Sequence, residues 1–249
     1  MERTTLEATH GTKGVILIMR RIFERKKNIT FRSEESEGLK PETVLHSLQI
    51  IPLSYPEAKN LLVHNHYLHS FPGGTKLTFG VFVDYQLKGA LTFGVGPYLG
   101  YKIVNNVCPD DVVTLTRLWL SDELPYNSES RVLGMVLRSL KKETSLKFVL
   151  TYTDPAAGHV GTIYQSTNWV YTGLSSATPL YDIGDGILHH SRSLAHRLGT
   201  HSIQYLKSQG IDVKTVPQFP KHRYVYFLDE SYCSRLMVPV LPYPKRSVI

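Results

Sequence analysis

The chain has 249 residues, 42% of them hydrophobic, which is enough for one large folded core. Lys and Arg (28) outnumber Asp and Glu (21), giving a net charge of +7 and a pI near 9.3, a balance that favours a polyanionic partner, with nucleic acid first. The cysteines, Cys108 and Cys233, are too few for a disulfide framework or a cysteine-built zinc site and point to a reducing intracellular compartment.

Residues 1–40 are polar and charged, with RRIFERKK followed by SEESEG, and read as a basic N-terminal extension to a folded domain over 41–249. The apolar run GVILIM at 14–19 is too short to span a bilayer and lacks a cleavage pattern, so neither a signal peptide nor a membrane anchor is expected. HSLQIIPLS reads as a strand. SYPEAKNLLVHNHYLH reads as a helix, because Ser54 and Glu57 have capping-box spacing and Pro56 lies in the first turn; its apolar face is Ala58, Leu61, Leu62 and Leu68. LTFGVFV and LKGALTFGV flank a turn at Asp84-Tyr85-Gln86, and DVVTLTRLWLS is a further strand rich in β-branched residues. NSESRVLGMVLRSLKKET places Leu133, Val136, Leu137 and Leu140 on one helical face, with basic residues in its last turns. KFVLTYT is a strand ending at Asp154; a short helical piece with Tyr164 and an aromatic strand ending at Gly173 follow. In the tail, GILHH, IDVKTV and HRYVYFLD read as strands around a helical SIQYLKSQG. The order predicts an α+β (α/β) domain with a mixed, mostly antiparallel central sheet flanked by helices.

Several residues have chemistry out of keeping with their surroundings. Arg117 lies in an apolar strand, on one face with Leu115 and Trp119 under two-residue alternation, and a guanidinium there needs an acid or a phosphate. Asp154, before Pro155, is a turn former or a proton acceptor at a strand end; Tyr164 is a buried ring or a proton donor. His66 and His69, three apart, can share a helix face as metal ligands or pocket residues, whereas His64 points elsewhere, so a three-histidine site on one regular helix is not expected. Tyr67 beside them is a core aromatic or a site residue. Ser128, Ser130 and Arg131 stand where a helix begins and could hold a phosphate, Ser130 as cap or first-turn residue. Lys221, His222, Arg223 and Tyr224 offer contact to a DNA backbone, or are a solvated strand end. No GxSxG elbow, HExxH, Walker loop or CxxC pair supplies a rival chemistry.

The order of elements resembles the GCN5-related N-acetyltransferase (GNAT) fold. That resemblance implies an acyl-coenzyme A, such as acetyl-CoA, in a cleft between the fourth and fifth strands, and a tyrosine at the position of Tyr164 that protonates the leaving thiolate. The glycine-rich pyrophosphate loop of such proteins is replaced here by LPYNSESR, with no glycine before Gly134. Taken together, HYLHSFPGG, TRLWLSDELPYNSESRVLGMVLRSLKK, YTDPAAGHVGTIYQSTNWVYTG and KHRYVYFLD resemble the phage Mom family of DNA-modification proteins, an outlying GNAT-like group, from about Pro52 to Asp229. This resemblance implies carbamoylmethylation of the exocyclic amine of adenine in double-stranded DNA, in the bacterial host cytoplasm, which hides phage DNA from restriction enzymes. It carries site roles onto His66, Tyr67, Arg117, Ser130, Asp154 and Tyr164. A metal such as iron has no ligand motif, and an acetyl transfer alone would leave an acetyl group, so the donor stays open. The rivals are an ordinary acyl-CoA N-acyltransferase on a small amine or protein, and a non-catalytic DNA-binding module on the same scaffold.

Overall fold

Ser54 starts the first helix, α1 (Tyr55–Asn65), through a capping box: its hydroxyl accepts from the Glu57 amide while the Glu57 carboxylate accepts from the Ser54 amide. The computed structural model describes residues 48–200 and 202–245; the extension expected over 1–40 lies outside them. Helix α1 stops earlier than its sequence suggests. His66 takes extended backbone angles (φ −78°, ψ 137°) and its Nδ1 accepts the Leu68 amide, and His69 is left-handed at φ 43°. Leu68 therefore leaves the apolar face and is exposed, and His66 and His69 do not share a helix face.

The main sheet has seven strands in the order β1-β2-β3-β4-β5-β10-β6: β1 Gln49–Pro52, β2 Thr75–Val83, β3 Gln86–Gly94, β4 Val112–Leu120, β5 Phe148–Thr153, β10 His222–Phe227 and β6 Val170–Leu174. The β2–β3 hairpin closes at Asp84 and Tyr85, both at positive φ (49° and 65°), the geometry that matches a two-residue turn to the twist of its strands. All pairings in this sheet are antiparallel except β4 with β5, which run parallel over Val112–Leu115 and Phe148–Thr151. Beyond Leu115 they are no longer paired, which opens a cleft between their C-terminal ends.

A bulge in β4 decides what faces that cleft. Leu115 lies opposite Phe93 and Arg117 opposite Thr92, so Thr116 is the extra residue in the register, and its hydroxyl donates to the Thr92 carbonyl (3.0 Å). The extra residue reverses the alternation. Leu115 packs in the core beneath α2 (Ser128–Glu143), whereas Trp119 packs with Ala58, Leu62 and Ala90 beneath α1. Arg117 therefore shares a side with Trp119 and not, as simple alternation predicted, with Leu115. Helix α2 buries Leu133, Val136, Leu137 and Leu140 as expected, each contributing about 2 kcal/mol over exposure.

Two elements escaped the sequence reading. Between the neighbouring strands β6 and β10 the chain builds a second sheet in the order β8-β7-β9, from β7 (Leu180–Asp182), β8 (Leu188–His190) and β9 (Lys214–Val216), with α4 (Ser191–Leu198) and α5 (Ile203–Ser208). Strand β7 and helix α4 were not anticipated. The tail then returns along β6: Leu241 donates its amide to the Tyr171 carbonyl and Tyr243 its hydroxyl to the Trp169 carbonyl, covering a sheet edge. Among the described residues no helix is long and apolar enough to cross a membrane.

Candidate active site

Where β4 and β5 part, the structure gathers side chains from segments far apart in sequence. Arg117 projects from the bulged strand; its Nη1 donates to the Thr116 carbonyl (2.7 Å), its Nη2 to the Ser70 hydroxyl (3.2 Å) and its Nε to the Ser70 carbonyl (3.3 Å). Among the described residues it has no carboxylate partner. Of the acid or phosphate expected for it, no acid is present among the described residues, and the half-buried cation is held there by neutral groups. Burial pulls its pKa down and Tyr67 opposes this, but a guanidinium stays charged at any ordinary pH.

His66 is buried beside it. Burial first, then the Arg117 cation and the neighbouring His159 and His69, bring its pKa down to about 4, so its imidazole is neutral at pH 7. The tautomer follows from its partner: Nδ1 accepts the Leu68 amide, so Nε2 carries the hydrogen and acts as a donor. Tyr67 stacks on the His66 ring at 4.5 Å and leans on His159 at 5.3 Å, while 54% of it stays exposed. Burial, then the Asp154 carboxylate, push the Tyr67 phenol up.

Asp154 ends β5. One carboxylate oxygen accepts the Ala156 amide (2.9 Å), so the residue is the turn former that the Asp-Pro pair suggests; the other lies 3.6 Å from Lys221 Nζ. Tyr164 sits in the single turn α3 (Thr162–Gln165), 8% exposed. Burial lifts its pKa to about 12 against a hydrogen bond with Thr151, which makes it a phenol and not a phenolate. Thr151 donates its own proton to the Leu115 carbonyl, leaving its lone pairs to Tyr164. The turn is fixed from behind by Gln165, which donates to the Val160 and Pro244 carbonyls and to the Tyr224 hydroxyl. Gly161 permits this twice over: it sits at φ 78°, and a Cβ there would lie 2.6 Å from the Tyr224 ring.

The structure thus brings His66, Tyr67, Arg117, Asp154 and Tyr164 around one cleft. His159, Ser70 and Thr151 belong to the cluster and were missed. A titratable residue between Asp154 and Tyr164 was the available signal for His159, but nothing in the sequence marks Ser70 or Thr151.

The helix start and the basic strand turn out differently. Asn127 (φ 66°) occupies the N-cap of α2 without a side-chain cap bond; Ser128 is buried and donates to the Pro125 carbonyl, and Ser130, in the first turn, donates to the Asn127 carbonyl. With both hydroxyl protons committed, the Glu129 carboxylate in the same turn and no glycine, Ser128, Ser130 and Arg131 do not fit a coenzyme A diphosphate as they stand. Strand β10 is paired on both sides, so it is no solvated edge. Tyr224 is fully buried, 0% exposed, and cannot reach a DNA phosphate; it is a core ring 5.5 Å from Tyr164. His222 Nδ1 bonds with the Tyr171 hydroxyl (2.8 Å), and Arg223 donates to the Thr172 hydroxyl and carbonyl. Lys221 is the one that reaches the cleft, through Asp154. Among the described residues no group of three or more His, Cys, Asp or Glu is placed to hold a metal ion.

A neutral donor imidazole, a high-pKa phenol, a carboxylate and an unneutralised cation around one cleft equip a transferase. The profile of the Mom protein family matches residues 47–245, most of the chain, and the chain belongs to that family. It is 28% identical over 238 residues to the methylcarbamoylase Mom of Escherichia phage Mu, covering 88% of this chain and 98% of that protein. Similar solved structures include a probable acetyltransferase from Staphylococcus epidermidis (11% identity, TM-score 0.39, 72% of this chain and 98% of that one). Another is a GNAT family acetyltransferase from Elizabethkingia anophelis with acetyl-CoA bound (9% identity, TM-score 0.41, 72% and 97%). Likenesses at these scores carry no functional argument.

Proposed function

We propose that the chain is a DNA-modifying transferase that converts adenine in double-stranded DNA to N6-carbamoylmethyladenine and so shields phage DNA from restriction in the host cytoplasm. Family membership and similarity to a methylcarbamoylase over nearly its whole length support the group transferred. The observation that carries the reading is the convergence of His66, Tyr67, Arg117, Asp154 and Tyr164 on the β4–β5 cleft. A net charge of +7 suits a DNA substrate.

Chemistry at a paired exocyclic amine requires the base to leave the stack. The amine attacks the methylene of a donor carrying an activated carbamoylmethyl group: the N6–carbon bond forms as the bond to the leaving group breaks. Asp154 takes the proton that the amine sheds, and Tyr164 turns its hydroxyl from Thr151 to give its proton to the departing group. Arg117, which no carboxylate among the described residues quenches, and the His66 Nε2–H face negative charge that develops between them. The poor fit of the α2 start to a diphosphate weighs against an ordinary acyl-CoA acyltransferase, and no step here depends on coenzyme A.

DNA recovered from cells expressing the chain is expected to resist restriction enzymes whose sites contain adenine while remaining sensitive to those whose sites lack it. Equal cleavage by both groups, with abundant folded protein present, would overturn the reading.

A further inference from the structure

The link Pro217-Gln218-Phe219-Pro220 leads from the second sheet into β10, and its end is pinned at the active site. Lys221 donates its amide to the Ser175 hydroxyl (3.1 Å), accepts the Ser175 amide at its carbonyl (2.8 Å), and holds its ammonium 3.6 Å from Asp154. Two residues of chain span at most about 7 Å, so the backbone of Phe219 lies within that reach of the Lys221 backbone. Phe219 is nevertheless 69% exposed and belongs to none of the core clusters. Prolines at 217 and 220 fix φ on either side of it, which stiffens the segment that carries it. The solvent-facing phenyl ring is thus carried on a proline-bracketed link whose last neighbour, Lys221, reaches Asp154 with its ammonium. An extruded base leaves a gap in the duplex, and an apolar ring can fill such a gap by stacking on the flanking pairs.

Resting on the DNA-adenine reading above, we propose that Phe219 is the wedge that enters the base stack where the target adenine leaves it. The exposed ring of Tyr67, itself stacked on His66, stands at the same cleft to receive the extruded base. Phe219 thus acts on the opening of the duplex and not on the bond-making step.

The test uses the full chain and a set of DNA duplexes, each with one 2-aminopurine in place of an adenine, a base whose fluorescence rises when it leaves the stack, together with the matching single strands. The parent is expected to raise the fluorescence severalfold in at least one duplex. Phe219→Ala should cut that rise by threefold or more and lower the ratio of duplex to single-strand modification about tenfold, with Phe219→Trp restoring both; a thermal melt confirms that the variants are folded. A parent that extrudes no base, a Phe219→Ala that extrudes as the parent does, or equal losses on duplex and single strand would overturn the wedge. Extrusion that depends on Phe219 without any modified adenine would uphold the wedge and sink the carbamoylmethylation reading. Modification indifferent to Phe219 would do the reverse.

Discussion

Histidine and arginine come together twice in this molecule, and the two clusters are built on opposite terms. In the second sheet, Asp185 accepts from His189 Nε2 with both oxygens (3.0 and 2.9 Å) and from Arg197 Nη1, so the two side chains share one carboxylate. Hydrogen bonds from Arg197 and His189 outweigh desolvation and bring the Asp185 pKa down to about 2. In the cleft, His66 and Arg117 adjoin with no acid among the described residues between them, and burial first, then the Arg117 cation, keeps His66 neutral. A compensated cluster holds a fold together. An uncompensated one is a standing cost that an incoming negative charge relieves.

That contrast can be broken most sharply at the cleft. Tyr164→Phe keeps the ring and its 5.1 Å edge contact with Trp169, so melting should barely change while modification falls about a hundredfold or more. Parental modification by a folded Tyr164→Phe would make Tyr164 a packing residue. Arg117→Met should cost at least tenfold in modification, the scale of losing a preorganised electrostatic contact, yet hold the melting temperature, because a half-buried charge held only by neutral groups is removed. Asp185→Asn should do the opposite: the melting temperature falls as His189 and Arg197 lose their partner. Were Arg117→Met to lower the melting temperature as Asp185→Asn does, the distinction between the clusters would collapse.

Acid separates them too. The unfolded chain protonates His66 near pH 6.5 and the folded chain only near 4, so protons favour unfolding between those values. Stability should be full above pH 6.5 and decline as pH falls to 4, by about 3 kcal/mol in all, a slope that His66→Asn flattens. Asp185, depressed from 3.8 to about 2, loses its contribution only in that lower window. Denaturant titrations across pH would reveal the two steps. The smallest effect is expected at Lys221. Exchange of Asp154 for a DNA phosphate by its ammonium would add one contact, so Lys221→Met should lower the salt slope of DNA binding by about one; an unchanged slope confines Lys221 to Asp154.

The elements that could be read from the sequence are those with a period and a stop signal: the capped start of α1, the Asp84-Tyr85 hairpin, the leucine face of α2 and the β-branched run of β4. Features fixed by pairing could not be. Nothing in VVTLTRLWL announces that Thr116 is the extra residue, because a bulge arises from the register with β3, and it alone turns Arg117 away from Leu115. Strand β7, Leu180-Tyr181-Asp182, is as short as β8 and β9 but lacks the β-branched residues that mark IDVKTV. Likewise HRYVYF reads as a basic strand end, and only its two neighbours reveal that Tyr224 lies inside. Of the six residues carried by motif, His66, Tyr67, Arg117, Asp154 and Tyr164 lie together and Ser130 stays apart in the first turn of α2; Ser70 and Thr151 became visible only once β4, β5 and the end of α1 were set side by side.

Carbamoylmethylation of adenine in the cleft, with Tyr164 as the proposed acid, is open to a direct measurement. It is tested most directly by mass spectrometry of the deoxynucleosides from DNA of cells expressing the parent or Tyr164→Phe at equal, soluble levels. A deoxyadenosine heavier by the carbamoylmethyl group is expected in the parent sample, with its near disappearance in the variant. Unmodified deoxyadenosine alone in the parent sample, or equal modification in both, would contradict it.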